Sequence, residues 1–304
     1  MGLVDYSDSD EDAHQSPASP RPPAKKRKTL GDEKDAAALP PLPASFRDLY
    51  SSTVRTSTQD DPSLHAGRKR VVPHIAGNWP THVYLEWFPE AEAYNVLCLA
   101  LRDVQHSLEH GVDNVHSLLQ NHLGVQLPLH VSLSRSLALK TEQKDSFLTD
   151  LEQAVASTAV RTFSVSPTQL IWHPNEDRTR WFLVLKLQRP AGDELQKMLG
   201  GCNELAARFD QPLLYQTTDP GSAEGKFKAT SIPVKAFHIS VAWSLQPPIA
   251  QQPPDHGGLQ QAISSSILEQ MGKLKITFEG VKIRIGQDVT SVQLQKARIT
   301  APTT

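Results

Sequence analysis

Pro128-Leu129-His130-Val131-Ser132-Leu133-Ser134 and Phe237-His238-Ile239-Ser240-Val241-Ala242-Trp243 carry one pattern, a His-X-Ser unit whose middle and flanking residues are apolar. Polar and apolar residues alternating over this length predict a strand. In a strand, side chains at i and i+2 share a face. His130 and Ser132 therefore point one way, and Leu129, Val131 and Leu133 the other. Likewise His238 and Ser240 share a face, while Phe237, Ile239 and Val241 turn into a core. The pattern alone is weak. With 12 histidines in 304 residues, about one match arises by chance, and His14-Gln15-Ser16, in sequence too polar to fold, is such a match. A half-wet antiparallel sheet would also turn its polar residues outward. Two copies 108 residues apart, each on a core-seeking strand, point instead to two polar faces lining a cleft.

Working outward, Thr81–Trp87 alternates and reads as a strand. From Glu90 onward, Leu97, Leu101, Val104 and Leu108 recur at helical spacing. A helix is expected near Val115–Leu123 and another over 142–158, with Phe147, Leu151 and Val155 on one face. A strand near 160–173 and the strand Trp181–Leu187 flank the turn-like Asn175-Glu176-Asp177, which predicts a hairpin. Leu195, Met198, Cys202, Leu205 and Phe209 mark a helix. A polar loop over 216–235, the strand His238–Leu245, a helix near 259–271 and three short strands near 274–279, 281–286 and 289–295 complete the series. Helices interleaved with antiparallel hairpins, and no glycine-rich phosphate loop, predict an α+β domain over 73–304.

Residues 1–72 read as a disordered tail. It opens on the acidic run Asp5–Asp12, passes through a Pro/Ser stretch, and reaches Lys25-Lys26-Arg27-Lys28. Such sequence buries too little apolar area to offset chain entropy. The basic run fits a nuclear import signal, and Arg68-Lys69-Arg70 forms a second cluster. The whole chain carries a formal charge of −2 and a mean hydropathy of −0.38, so a basic surface for nucleic acid has to be local. Cys98 and Cys202 read as buried free thiols, and their spacing builds no zinc cluster. No apolar run long enough for a membrane span is present, and no signal peptide is expected.

Two histidines facing one another across a cleft suit phosphodiester cleavage. One takes the proton of the attacking hydroxyl and the other gives a proton to the leaving oxygen, tasks for which imidazole titrates in the right range. In RNA the attacking group is the neighbouring 2′-OH, which yields a 2′,3′-cyclic phosphate. Ser132 and Ser240 then donate hydrogen bonds to the non-bridging oxygens. This chemistry asks for no metal and no cofactor. His82, His122 and His173 read as structural, and Trp181 and Trp243 as core.

With these motifs the sequence resembles the 2H phosphoesterase superfamily and, more closely, the Usb1/Mpn1 family, which processes the 3′ end of U6 small nuclear RNA. The resemblance covers about 75–295. It rests on Gly77-Asn78-Trp79-Pro80-Thr81-His82-Val83-Tyr84, Leu129–Arg135, Thr179-Arg180-Trp181-Phe182, Phe209–Tyr215 and Phe237–Trp243. It implies two pseudo-symmetric lobes, each an antiparallel sheet with flanking helices, around a central groove carrying one His-X-Ser from each lobe. It implies a monomeric, nuclear 3′→5′ exonuclease trimming the uridine tail of U6 RNA, with His130, His238, Ser132 and Ser240 as catalytic residues. Tyr215 matches a position whose ring stacks on a terminal base, although the 216–235 insertion separates it from the second motif. Ser134, Arg135, Arg180 and Lys235 are further expected substrate contacts, with Lys226 and Lys228 beside them in the loop. Two other readings stay open: a cyclic phosphodiesterase for a small nucleotide or tRNA-splicing product, which keeps the same catalytic residues, and an RNA-binding module without catalysis, for which both histidines and both serines would be dispensable.

Overall fold

A computed structural model describes residues 75, 77–108, 115–175, 177–215, 237–245, 259 and 262–296. The expected tail with its basic run, and the loop with Lys226, Lys228 and Lys235, lie outside the described residues.

Strand β1 (Asn78–Trp87) is the middle of a five-stranded sheet. On one side it pairs with β10 (Gly280–Ile285), which in turn pairs with β11 (Asp288–Gln293). Its other edge is shared by β3 (Leu129–Ser132) and β4 (Leu137–Lys140). A second sheet runs in the order β2 (His116–Ser117), β8 (His238–Ser244), β7 (Trp181–Leu187), β6 (Pro167–Pro174). Strands β5 (Phe163–Val165) and β9 (Ile276–Phe278) form a short ribbon. All these pairings are antiparallel.

Helices α1 (Ala91–Ser107) and α4 (Ser265–Lys273) pack on one another and reach the second sheet through β8 and β6. Helices α2 (Lys144–Ser157) and α3 (Glu194–Arg208) pack together, and α2 reaches the first sheet at β10. Each sheet thus has its own pair of helices, as the two-lobe expectation requires. The helices are placed by one apolar face: Val96, Leu97, Ala100, Leu101 and Val104 on α1, and Leu195, Met198, Leu199, Cys202 and Leu205 on α3, are buried. Each valine, leucine or methionine side chain among them, taken fully out of water, stabilises by about 1.5–3 kcal/mol.

Four expectations change. The stretch expected as a helix at 115–123 instead runs along β8, pairing through His116 and Ser117 and through a Leu118 N–H donated to the Val241 carbonyl. Asn121 then turns the chain, its side-chain oxygen accepting from the N–H groups of Leu123 and Val125, with Gly124 at φ +75°. This turn chemistry and strand pairing override the helical spacing of Val115, Leu118 and Leu119. The strand expected near 160–173 is broken at Ser166, so that β5 and β6 join different partners. Trp181 is half-buried rather than core, and of the two free thiols only Cys202 is fully buried. No helix among the described residues is long and apolar enough to cross a membrane.

Candidate active site

The two motif strands are the place where the sheets meet, since Cα atoms of β3 and β8 come within 8 Å. On β3, Leu129 and Val131 are buried while His130 and Ser132 face out. Register then sets their neighbours: Ser132 lies opposite Tyr84 and His130 opposite Glu86 on β1. One strand further, His82 faces Arg284 and Tyr84 faces Lys282 on β10. Directly opposed residues share a face, so β1, β3 and β10 present one polar surface. The Lys282 ammonium contacts the Glu86 carboxylate at 2.6 Å, with side chains only 11% and 19% exposed.

On that surface the rings of His82, Tyr84 and His130 form a cluster. His82 stacks on Tyr84 with centroids 5.2 Å apart, and the edge contacts of His130 are 5.3 Å to His82 and 5.5 Å to Tyr84. His82 Nε2 lies 3.1 Å from Ser132 Oγ. His130 is exposed at the surface, yet protein fills most of the space around it. This desolvation, with the Arg284 charge, pushes its pKa down to about 4. Burial, then the charges of His130 and Arg284, take His82 to about 3. Both rings are therefore neutral at ordinary pH.

On β8, Ile239 and Val241 are buried and His238 and Ser240 half-exposed. The alternation stops at a bulge, where Val184 pairs with Ser240 but Leu183 with Ala242. The extra residue buries Val241 and Ala242 in succession and ends the polar face just past the motif, a use to which bulges near functional sites are often put. Trp243 is buried against His116, ring on ring at 4.1 Å. His173 of β6 stands 5.9 Å, centroid to centroid, from His238; burial and Lys186 lower its pKa.

Tyr215 sits beside the second motif, its ring edge-on to Phe237 at 6.2 Å. Burial raises its hydroxyl pKa to about 12. Its backbone has φ +59°, a conformation costly for a bulky side chain. The buried Asn203 holds the preceding residue, donating to the Leu214 carbonyl and accepting from the Leu214 N–H, each at 3.0 Å.

Ser134, expected as a substrate contact, is bonded to backbone. The residue is 4% exposed, and its hydroxyl accepts from the Val83 N–H at 2.9 Å and donates to the Arg135 carbonyl at 2.8 Å. It ties β1 to the chain leaving β3, and its one hydrogen, the group a phosphate oxygen would need, is spent on backbone. Ser134→Ala should leave the Val83 N–H buried without an acceptor, a loss of about 1–3 kcal/mol in urea unfolding. Arg135 follows in the turn before β4. Arg180 precedes Trp181, which pairs with Ser244, at the opposite end of β8 from His238. His82, expected to be structural, stands inside the site, as do Tyr84, Glu86, Lys282 and Arg284. The same alternation marks them, in His82-Val83-Tyr84-Leu85-Glu86 and Lys282-Ile283-Arg284. Among the described residues no three His, Cys, Asp or Glu side chains stand together as metal ligands.

A family model described as HVSL, an uncharacterised conserved protein, matches residues 40–293. The U6 snRNA phosphodiesterase 1 of Neurospora crassa is 32% identical over 88% of this chain and 78% of its own length. The protein of that name from Drosophila melanogaster is 30% identical over 80% and 82%, and the human one 24% over 84% of each. The structure of Kluyveromyces marxianus Usb1 with uridine monophosphate superposes with a TM-score of 0.51 at 16% identity, over 71% of this chain and 98% of that one; at that identity the likeness is one of fold. Two antiparallel lobes meeting at paired His-X-Ser strands, the family match across most of the chain and relatives at these identities lead to one conclusion: the chain belongs to the HVSL family, together with the U6 snRNA phosphodiesterases.

Proposed function

We propose that this protein is a 2H phosphodiesterase that shortens U6 small nuclear RNA from its 3′ end, one nucleotide at a time. The observation that supports the reading is the approach of β3, which carries His130 and Ser132, to β8, which carries His238 and Ser240, from two separate sheets. The 2′-OH of the penultimate nucleotide attacks the phosphorus that joins it to the last one. One imidazole accepts its proton, and the other protonates the departing 5′-oxygen. The two serine hydroxyls donate to the non-bridging oxygens, where charge builds. The terminal nucleoside leaves and the shortened RNA ends in a 2′,3′-cyclic phosphate. Both proton transfers belong to imidazoles, so the step as drawn uses no metal. Tyr215, whose ring meets Phe237, offers a face to the terminal base, a contact worth about 1–3 kcal/mol. The reading carries with it a nuclear site of action, which the Lys25–Lys28 run would serve, and a monomeric enzyme.

The decisive experiment incubates the protein, in EDTA, with end-labelled RNA ending in several uridines. Stepwise 3′ shortening that disappears in His238→Ala is the expected result. Binding without shortening would move the function to a small-nucleotide phosphodiesterase or a plain RNA-binding module.

Arg284 gives the reading an electrostatic side. It is exposed on the groove face and its charge disfavours protonated His130. Arg284→Gln should weaken RNA binding and reduce the slope of log K against log salt by about one, the signature of a lost phosphate contact. Removing the cation also favours the protonated imidazole, so the pKa of His130 rises. The limb of the pH–rate profile belonging to His130 should therefore move to higher pH.

A further inference from the structure

We propose that His82 is a positioning residue for Ser132: its Nε2–H donates to the serine oxygen, and the serine's own hydrogen is thereby turned into the groove to meet a phosphate oxygen. This rests on the phosphodiester-cleaving reading above. The contact is 3.1 Å long and links strands whose register places His82 two residues from Tyr84, the partner of Ser132. A neutral imidazole carries one N–H and one lone pair, so two arrangements are possible. If His82 accepted, the serine hydrogen would point back at the ring and only lone pairs would face the anionic phosphate, which they would repel. If His82 donates, the hydroxyl is left with one hydrogen and a single useful direction, toward the substrate. The first arrangement opposes the charge that develops on the non-bridging oxygens and the second stabilises it.

The ring is held for this task. Tyr84 stacks on one face and His130 packs against it edge-on. The strand beneath is anchored by Val83 and Leu85, 1% and 0% exposed. Burial keeps His82 neutral down to about pH 3, so its donor and lone pair persist across the whole range in which an enzyme of this kind would work. His82 is one strand removed from the motif, and both proton transfers are already supplied by His130 and His238. Its effect therefore runs through Ser132.

The test compares kcat and KM for RNA trimming in wild type, Ser132→Ala, His82→Leu, His82→Gln, and the double variant His82→Leu/Ser132→Ala. The glutamine amide nitrogen reaches roughly the place of Nε2, whereas that of asparagine falls one carbon short. The expected result is a fall in kcat of about tenfold for His82→Leu with KM nearly unmoved, the effect of one hydrogen bond that matters in the transition state. His82→Gln should recover most of the rate, and the double variant should be no slower than Ser132→Ala. Losses that multiply in the double variant, a glutamine variant as slow as the leucine one, or a leucine variant as fast as wild type would each overturn the proposal. Should His82→Leu fail to fold, Gln against Asn decides: retained rate in Gln and loss in Asn supports the proposal, and equal rates overturn it. A wild-type protein that leaves the RNA intact overturns the phosphodiesterase reading and this inference together, whereas trimming by wild type with any of the contrary variant results overturns this inference alone.

Discussion

His130→Ala and His238→Ala are each expected to slow removal of a 3′ nucleotide by about 10²–10⁴-fold, the usual contribution of a general acid or base. The urea midpoint should move little. His130 projects from a strand whose hold on the core is through Leu129 and Val131, 2% and 1% exposed, and His238 from one held by Ile239 and Val241, 0% and 2% exposed. Neither anchor is touched by the substitution. Because both imidazoles act in one step, the double variant should be little slower than the worse single one. Wild type should show a bell-shaped dependence of kcat/KM on pH and the same rate with and without chelator. A folded alanine variant with full activity, or activity that chelation abolishes, would reject the mechanism.

The second large effect falls on the residue between His238 and Ser240. Ile239 is fully buried and pairs with Leu185 in the middle of its sheet. Ile239→Ala should cost about 2–5 kcal/mol, from lost burial and an unfilled cavity, and Ile239→Val about 0.5–1.5 kcal/mol. Urea unfolding measures both, with an unchanged slope showing that only the stability moved. The alanine variant should also turn over more slowly per folded molecule, because a small displacement of the strand carries both reacting side chains with it. Equal stability of the two variants would show that the apolar middle residue does not anchor the motif.

Where one strong period was written into a short stretch, the sequence could be read directly. The strands read at 81–87, 128–134, 181–187 and 238–245, and the helical spacing over α1 and α3, match the structure to within a few residues at their ends. The four motif side chains followed from parity alone. Parity does not reach Ser134, because the strand ends at Ser132 and beyond it the chain bends, so that the hydroxyl bonds backbone. It also said nothing of who faces whom. That His82 meets Ser132, that Lys282 meets Glu86, and that Arg284 bears on His130 are consequences of register between strands far apart in sequence. The clamp of Asn203 on Leu214 is equally invisible to a local pattern, since a polar residue on the buried face of α3 reads as a flaw until its partner is seen. At 115–123 the helical period was present, and a turn and a neighbouring strand outweighed it.

The first sheet joins β1 to β10, with Thr81 opposite Ile285, partners about 200 residues apart, and such non-local pairings slow folding. Moreover α1 follows a strand of one lobe and packs beside the other, and α3 does the reverse. Neither lobe is a continuous piece of chain that a ribosome could release early. The groove face of β1 stays without its β10 cations until synthesis has passed residue 285. A growing or prematurely terminated chain would thus expose both His-X-Ser segments without a finished cleft around them, so competence to cut RNA should arrive all at once, with the last strands made.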